Sequence, residues 1–237
     1  MPTLNWIGKD AVVNHHLRVP FHLLKDVPDL ACGEPGEGNL IVQGDNLVAL
    51  KALLPYYAGQ VKCVYIDPPY NTGNEGWTYN DRVGSPIIRE WLGQVVGREG
   101  EDLSRHDKWL CMMYPRLQLL RQMLRPDGLI FVSIDENEHR WLEAVMDEIF
   151  GSQNRIETLV CKKSYGGGAK SKHVVNLHEF ILLYARDASR IGVFELPPSP
   201  QVLKYYKFED EKAETRGPYR LQPLATYSMH PRPNLRY

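Results

Sequence analysis

The residues with the clearest chemical capacity are Asp67-Pro68-Pro69-Tyr70, which follow directly on the apolar run Val64-Tyr65-Ile66. An acid that ends a strand lies at the carboxyl edge of a sheet, where open α/β folds hold their ligands. Both prolines have a fixed φ and no N–H. The Pro68 carbonyl is therefore held outward with no donor from Pro69 to occupy it. Asp67 and that carbonyl form a pair of acceptors, and Tyr70 sets a flat ring beside them. This set suits the exocyclic amino group of a nucleobase, whose lone pair is delocalised into the ring. Two acceptors on its hydrogens favour a tetrahedral nitrogen and free the lone pair as the transition state develops. Tyr70 can stack on a base taken out of a duplex. The same string also reads as a strand and a Pro-Pro turn, with Asp67 as a cap and Tyr70 as rim packing.

Further groups surround this one. Gly44-Asp45-Asn46 lies upstream, Asn71-Thr72-Gly73 follows at once, and the stretch from Trp109 to Asp135 carries Met113-Tyr114-Pro115-Arg116-Leu117 and Phe131-Val132-Ser133-Ile134-Asp135. As a set, these resemble the site-specific adenine DNA methyltransferases whose catalytic half precedes their cofactor half, including the modification subunits of type III restriction systems. The likeness runs from about Asn39 to Arg186 and more faintly to Tyr237. It implies a cytoplasmic enzyme that transfers a methyl group from S-adenosylmethionine to N6 of a flipped adenine. Asp67, Pro68, Pro69 and Tyr70 would be catalytic, and Asp45 and Asn46 would lie at the cofactor. N4 of cytosine presents the same chemical problem and stays open. So does a catalytically silent DNA-binding or assembly fragment that needs a cofactor-carrying partner. The implied partners are double-stranded DNA, a cofactor-binding half, a restriction subunit or further copies of the chain.

The elements that must position these residues follow from periodicity. Asn39 to Gln43 reads as a short strand, and Asp45 or Asn46 caps a helix through Leu47, Leu50 and Leu54 that Pro55 stops. On residue type alone, Asp45 is a cap. Leu110, Met113, Leu117, Leu120 and Leu124 put one face of a helix over 107–124 on the sheet, with Pro115 as a kink. Pro126-Asp127-Gly128 turns the chain into a strand from Leu129 to Ile134. The helix after it buries Leu142, Val145 and Ile149, and Asp135 or Asn137 caps it. Strands at 157–161 and 180–184 complete the pattern. Between them Gly166-Gly167-Gly168 is flanked by Lys162, Lys163, Lys170 and Lys172, a loop that suits a phosphate backbone or is merely solvated. It is not a P-loop, because no glycine directly precedes the lysine in Ala169-Lys170-Ser171. The long irregular segment from Asn71 to Lys108 holds Trp77 and Tyr79 and a short helix from Ser85 to Leu92. It reads equally as a DNA-facing lid and as a solvated insertion.

Composition narrows the frame. The 237 residues are 43% hydrophobic with a net charge of −1, so DNA binding must rest on local basic patches. The four cysteines are widely spaced, with no paired histidines to suggest zinc, and read as reduced and mostly buried. Residues 1–38 form a loosely patterned extension ending in a flexible glycine loop. Residues 39–195 form the catalytic part, and 196–237 begin a target-recognition region.

None of the 19 glycines supplies the glycine-rich cofactor turn that such a fold needs after its first strand. The resemblance places that turn beyond the recognition region. The expected fold class is therefore an α/β, Rossmann-like methyltransferase sheet, mostly parallel with one antiparallel strand, and incomplete. The implied order is 3-2-1-4-5-7-6, with 39–43 as its third strand and 62–66 as its fourth. Strand 129–134 would lie beside 62–66, with 180–184 antiparallel between it and 157–161. Segment 39–43 would then stand unsupported or across a gap, and 62–66 would form an exposed edge inviting self-association. Residues 1–237 alone are expected neither to bind the cofactor nor to methylate DNA.

Overall fold

A computed structural model describes residues 3–31, 33, 38–72, 105–163, 177–195 and 199–222. It divides into two compact units, 1–191 and 192–237. The first is built on four strands: β1 (Val61–Ile66), β2 (Leu124–Ile134), β3 (Arg155–Lys162) and β4 (His178–Ala185). Their order is β1-β2-β4-β3. β1 runs parallel to β2, while β4 is antiparallel to both β2 and β3. Three strands thus point one way and one the other, in the order and sense that the resemblance implied.

Two helices cover one face of this sheet. α4 (Arg105–Met123) makes the crossover between β1 and β2, and α5 (His139–Phe150) follows β2. They share a core with the strands that includes Trp109, Leu117, Ile130, Val132, Leu142 and Leu182. The residues spaced from Leu110 to Leu120 are buried as expected, but so are Cys111, Met112, Tyr114 and Leu119, so α4 is covered on more than the one face that the spacing predicts. Pro115 sits inside α4 without ending it. Truncating a residue such as Leu117, which is fully buried, costs about 2–5 kcal/mol in a packed core.

β2 differs from expectation. It begins at Leu124, and the Pro126-Asp127-Gly128 turn lies inside the strand as an irregularity, since Val61 pairs with Leu124 but Cys63 already pairs with Leu129. Only glycine fits at 128, where a Cβ would stand 2.9 Å from both the Arg125 and Val61 carbonyl oxygens. The expected strand at Asn39 to Gln43 is not formed. No described strand runs beside it, and Leu40 and Ile41 are exposed. Strand propensity does not order a segment that has no ladder to join, so the unsupported alternative holds.

The amino-terminal residues are more integrated than their loose pattern suggests. α1 (Lys9–Val12) and α2 (His15–Arg18) lean on α4, as does α3 (Asn46–Tyr57), which runs past Pro55 to Tyr57 instead of stopping there. Trp6 lies 5.6 Å from the Tyr114 ring and donates to Cys111 Sγ at 3.4 Å. Lys9 Nζ meets Glu148 at 2.7 Å, a mostly buried ion pair. Lys51 Nζ donates to the His16 carbonyl at 2.9 Å.

Among the described cysteines only Cys111 is buried, which pushes its thiol up to about 11; Cys161 is half-buried and Cys63 exposed. Cys63 points to the sheet face away from the shared core, which corrects the expectation of mostly buried cysteines. Cys32 lies outside the described residues.

The second unit is described over 192–195 and 199–222. It contains α6 (Pro200–Leu203), capped by Ser199, and α7 (Ala213–Arg216). Phe208 and Tyr219 form a bridge with their rings 5.8 Å apart. No described helix is long and apolar enough to cross a membrane.

Candidate active site

β1 ends at Ile66 because Asp67 and the two prolines follow it, and prolines cannot extend a hydrogen-bonded ladder. Val64 and Ile66 face the core, so the strand's other face carries Tyr65, which is 61% exposed. Tyr65 Oη and Ser133 Oγ are 2.5 Å apart, tying the carboxyl end of β1 to that of β2.

Asp67 is exposed, while Pro68, Pro69 and Tyr70 are half-buried. The buried Trp109 on α4 donates its Nε1–H to the Pro69 carbonyl at 2.6 Å. That bond fixes the corner against α4. Among the described residues no donor reaches the Pro68 carbonyl. Burial, and then the nearby Asp67 carboxyl, push the Tyr70 phenol far above its usual range. Tyr70 is therefore a neutral phenol beside Asp67.

The ring of Tyr70 has company. Lys163 Nζ lies 5.6 Å from its centroid and is ion-paired with Glu179. Lys163, still largely exposed, is thus placed at the edge of the corner between an acid and a ring. Lys162 is exposed at the end of β3. Trp77, Tyr79, Lys170 and Lys172 lie outside the described residues, as does the short helix expected at 85–92.

Asp45 caps α3, as its residue type suggests. Its Oδ1 accepts from the Leu47 and Val48 amides at 3.0 and 3.1 Å. Arg116 on α4 reaches back to the same place, with Nη2 3.6 Å from Asp45 Oδ2 and Nε donating to Asn46 Oδ1 at 2.6 Å. Arg116 lies two turns along α4 from Trp109, about 10 Å of helix rise. One helix therefore anchors both the Asp45-Asn46 pair and the Asp67–Tyr70 corner.

Three side chains that the sequence reading did not single out complete the site: Glu138, His106 and the side chain of Asn71. Glu138 is fully buried just before α5, and its Oε1 takes hydrogen bonds from Asn71 Nδ2 and His106 Nδ1. Burial pushes its carboxyl above the ordinary range, opposed by Asn71 and His106. Asp135, expected to cap this helix, instead accepts from the Asn137 amide and side chain in the turn ahead of it. The signal for Glu138 was present only as an acid at a helix start, a position that Ser, Thr, Asp or Asn would normally take.

Residues 61–226 match the family model described as DNA methylase. The Mod subunit of the Escherichia coli type III restriction-modification enzyme EcoP15I is 36% identical over 202 residues, covering 80% of this chain and 31% of that protein. The EcoPI Mod subunit of Escherichia phage P1 is 35% identical over 212 residues, covering 83% and 32%. The chain thus spans about a third of the length of these relatives. The solved M1.HpyAVI–SAM complex overlays with a TM-score of 0.39 at 13% identity, over 66% of this chain and 58% of that one. The matched region contains the whole sheet and the corner at the end of β1, and on that match the chain belongs to the DNA methylase family.

Proposed function

We propose that the protein carrying this chain transfers a methyl group from S-adenosylmethionine to the N6 amino group of an adenine taken out of duplex DNA. The observation that carries this reading is the corner at the end of β1, with Asp67 exposed, the Pro68 carbonyl without a described donor, and Trp109 holding the turn at Pro69. The two acceptors grip the two amino hydrogens and favour the tetrahedral nitrogen, an interaction strongest in the transition state. The Asp67 carboxylate is also placed to take the proton that the nitrogen sheds. Tyr70, half-buried beside Asp67, would offer its ring to the base.

Asp45 and Asn46 would hold the cofactor. The donor set fits: Asp45 is about half exposed, its Oδ1 is committed to the cap, and Oδ2 retains acceptor capacity for a hydroxyl or amine. When bound, the cofactor supplies an activated methyl group. Trp77, Tyr79, Lys162, Lys163, Lys170 and Lys172 would face DNA. A cytoplasmic setting and a restriction-subunit partner are inferred from the naming of the relatives as type III Mod subunits.

The test uses the full-length protein, methyl-labelled S-adenosylmethionine and unmethylated duplex DNA, followed by nucleoside digestion. Labelled N6-methyladenine is expected. Label in N4-methylcytosine would replace the adenine reading with the cytosine one, and no label in DNA would overturn both.

A further inference from the structure

We propose that Glu138 is a positioning residue that holds the Asp67–Tyr70 corner in its working shape through Asn71 and α4. The inference rests on the function proposed above and adds the device that pins its catalytic turn.

The chain leaves the corner at Asn71, whose φ of 55° is left-handed and unusual for a residue other than glycine. Asparagine visits this conformation more readily than most residues with a Cβ, and hydrogen bonds to its short polar side chain can help hold it there. Here the help comes from Glu138 Oε1, 2.5 Å from Asn71 Nδ2, and from the Arg105 carbonyl at 3.2 Å. The same Oε1 lies 2.7 Å from His106 Nδ1. His106 and Trp109 stand three residues apart on α4, on neighbouring positions of one face. Trp109 holds the carbonyl of Pro69 at 2.6 Å.

Tyr70 is therefore clamped on both sides. Before it, Pro69 is tied to Trp109; after it, Asn71 is tied to Glu138. A buried acid is costly unless its hydrogen bonds are made, so Glu138 at this point signals a purpose that an apolar core residue could not serve. Its second oxygen, Oε2, is buried with no partner among the described residues. The clamp thus uses one acceptor oxygen, and glutamine would supply that oxygen without the charge.

The experiment compares Glu138→Ala, Glu138→Gln and Leu142→Ala in the full-length protein. Leu142→Ala opens a cavity under the same helix without touching the corner and serves as the control for lost stability. Two readouts are taken: hydrogen exchange of the peptide spanning 67–72, and kcat and KM for methyl transfer to unmethylated duplex DNA. Glu138→Ala should raise exchange in 67–72 by tenfold or more. It should lower kcat at least thirtyfold, with KM for S-adenosylmethionine changed less than threefold. Glu138→Gln should stay within about threefold of the unaltered protein in both readouts, and Leu142→Ala should keep kcat despite a lower melting temperature. Unchanged exchange in Glu138→Ala, or an equal loss of kcat in Leu142→Ala, would overturn the positioning role. An unaltered protein that shows the exchange pattern but transfers no methyl group would overturn the proposed function and leave the clamp in place.

Discussion

At the residue scale, the proposed chemistry depends on two oxygens, one from Asp67 and one from the Pro68 backbone, and only the first can be mutated. Asp67→Ala is expected to lower the rate of methyl transfer by about 10²–10³, the usual cost of removing one group that acts on transition-state charge. Asp67→Asn should be impaired as well, because an amide is a weaker acceptor and brings a competing donor. Calorimetric affinity for S-adenosylmethionine should change little in either variant. Single-turnover labelling of DNA measures the loss, and near-normal transfer by Asp67→Ala would remove the mechanism. The proposed stacking role of Tyr70 adds a second expectation of the same kind, since Tyr70→Phe keeps the ring and loses only the hydroxyl. It should lose less than Asp67→Ala.

At the scale of elements, α4 and the connection between β3 and β4 carry the predictions. Asp45 has one demonstrated role, the cap on α3, and one proposed role at the cofactor. Serine caps a helix nearly as well as aspartate but has no carboxylate. Asp45→Ser should therefore keep the melting temperature and weaken S-adenosylmethionine binding, while Asp45→Ala should also cost about 1 kcal/mol of stability. Equal cofactor affinity in all three proteins, read by calorimetry, would assign Asp45 to the cap alone. In the connection, replacing Lys162, Lys163, Lys170 and Lys172 by alanine should flatten the dependence of DNA affinity on salt, by about 0.9 in log–log slope for each phosphate no longer neutralised. Sequence preference should survive. Lys163 should contribute least, because Glu179 already neutralises it. An unchanged slope in the fourfold variant would make these lysines solvated bystanders.

For the whole molecule, the sheet has one face packed under α4 and α5 and another that shows Tyr65 and Leu159 to solvent. β1 is hydrogen-bonded on one side only among the described strands. An open edge beside an apolar face favours pairing with another chain. Residues 1–237 should thus associate at higher concentration in sedimentation velocity, and Tyr65→Lys should shift that association to higher concentration. A strictly monomeric chain over the same range would show that the edge is already protected.

Much of this protein was legible from local pattern. The period of Leu110 to Leu120 determined α4, the apolar runs determined β2 and β4, and an acid with two prolines after a strand placed the corner at the sheet edge. These are properties of near neighbours in sequence, which fix backbone periodicity and turn chemistry directly. Tertiary structure decided the rest. Asn39 to Gln43 has strand composition but no partner among the described strands, and it is irregular. Pro126-Asp127-Gly128 looks like a turn but is absorbed into β2, because Val61 and Arg125 leave room there only for glycine. The clamp at Glu138 joins positions 32 and 67 residues apart. No local rule relates an acid at one helix start to an asparagine beyond a distant strand, since only the packing of α4 and α5 on one sheet face brings them to the same buried point.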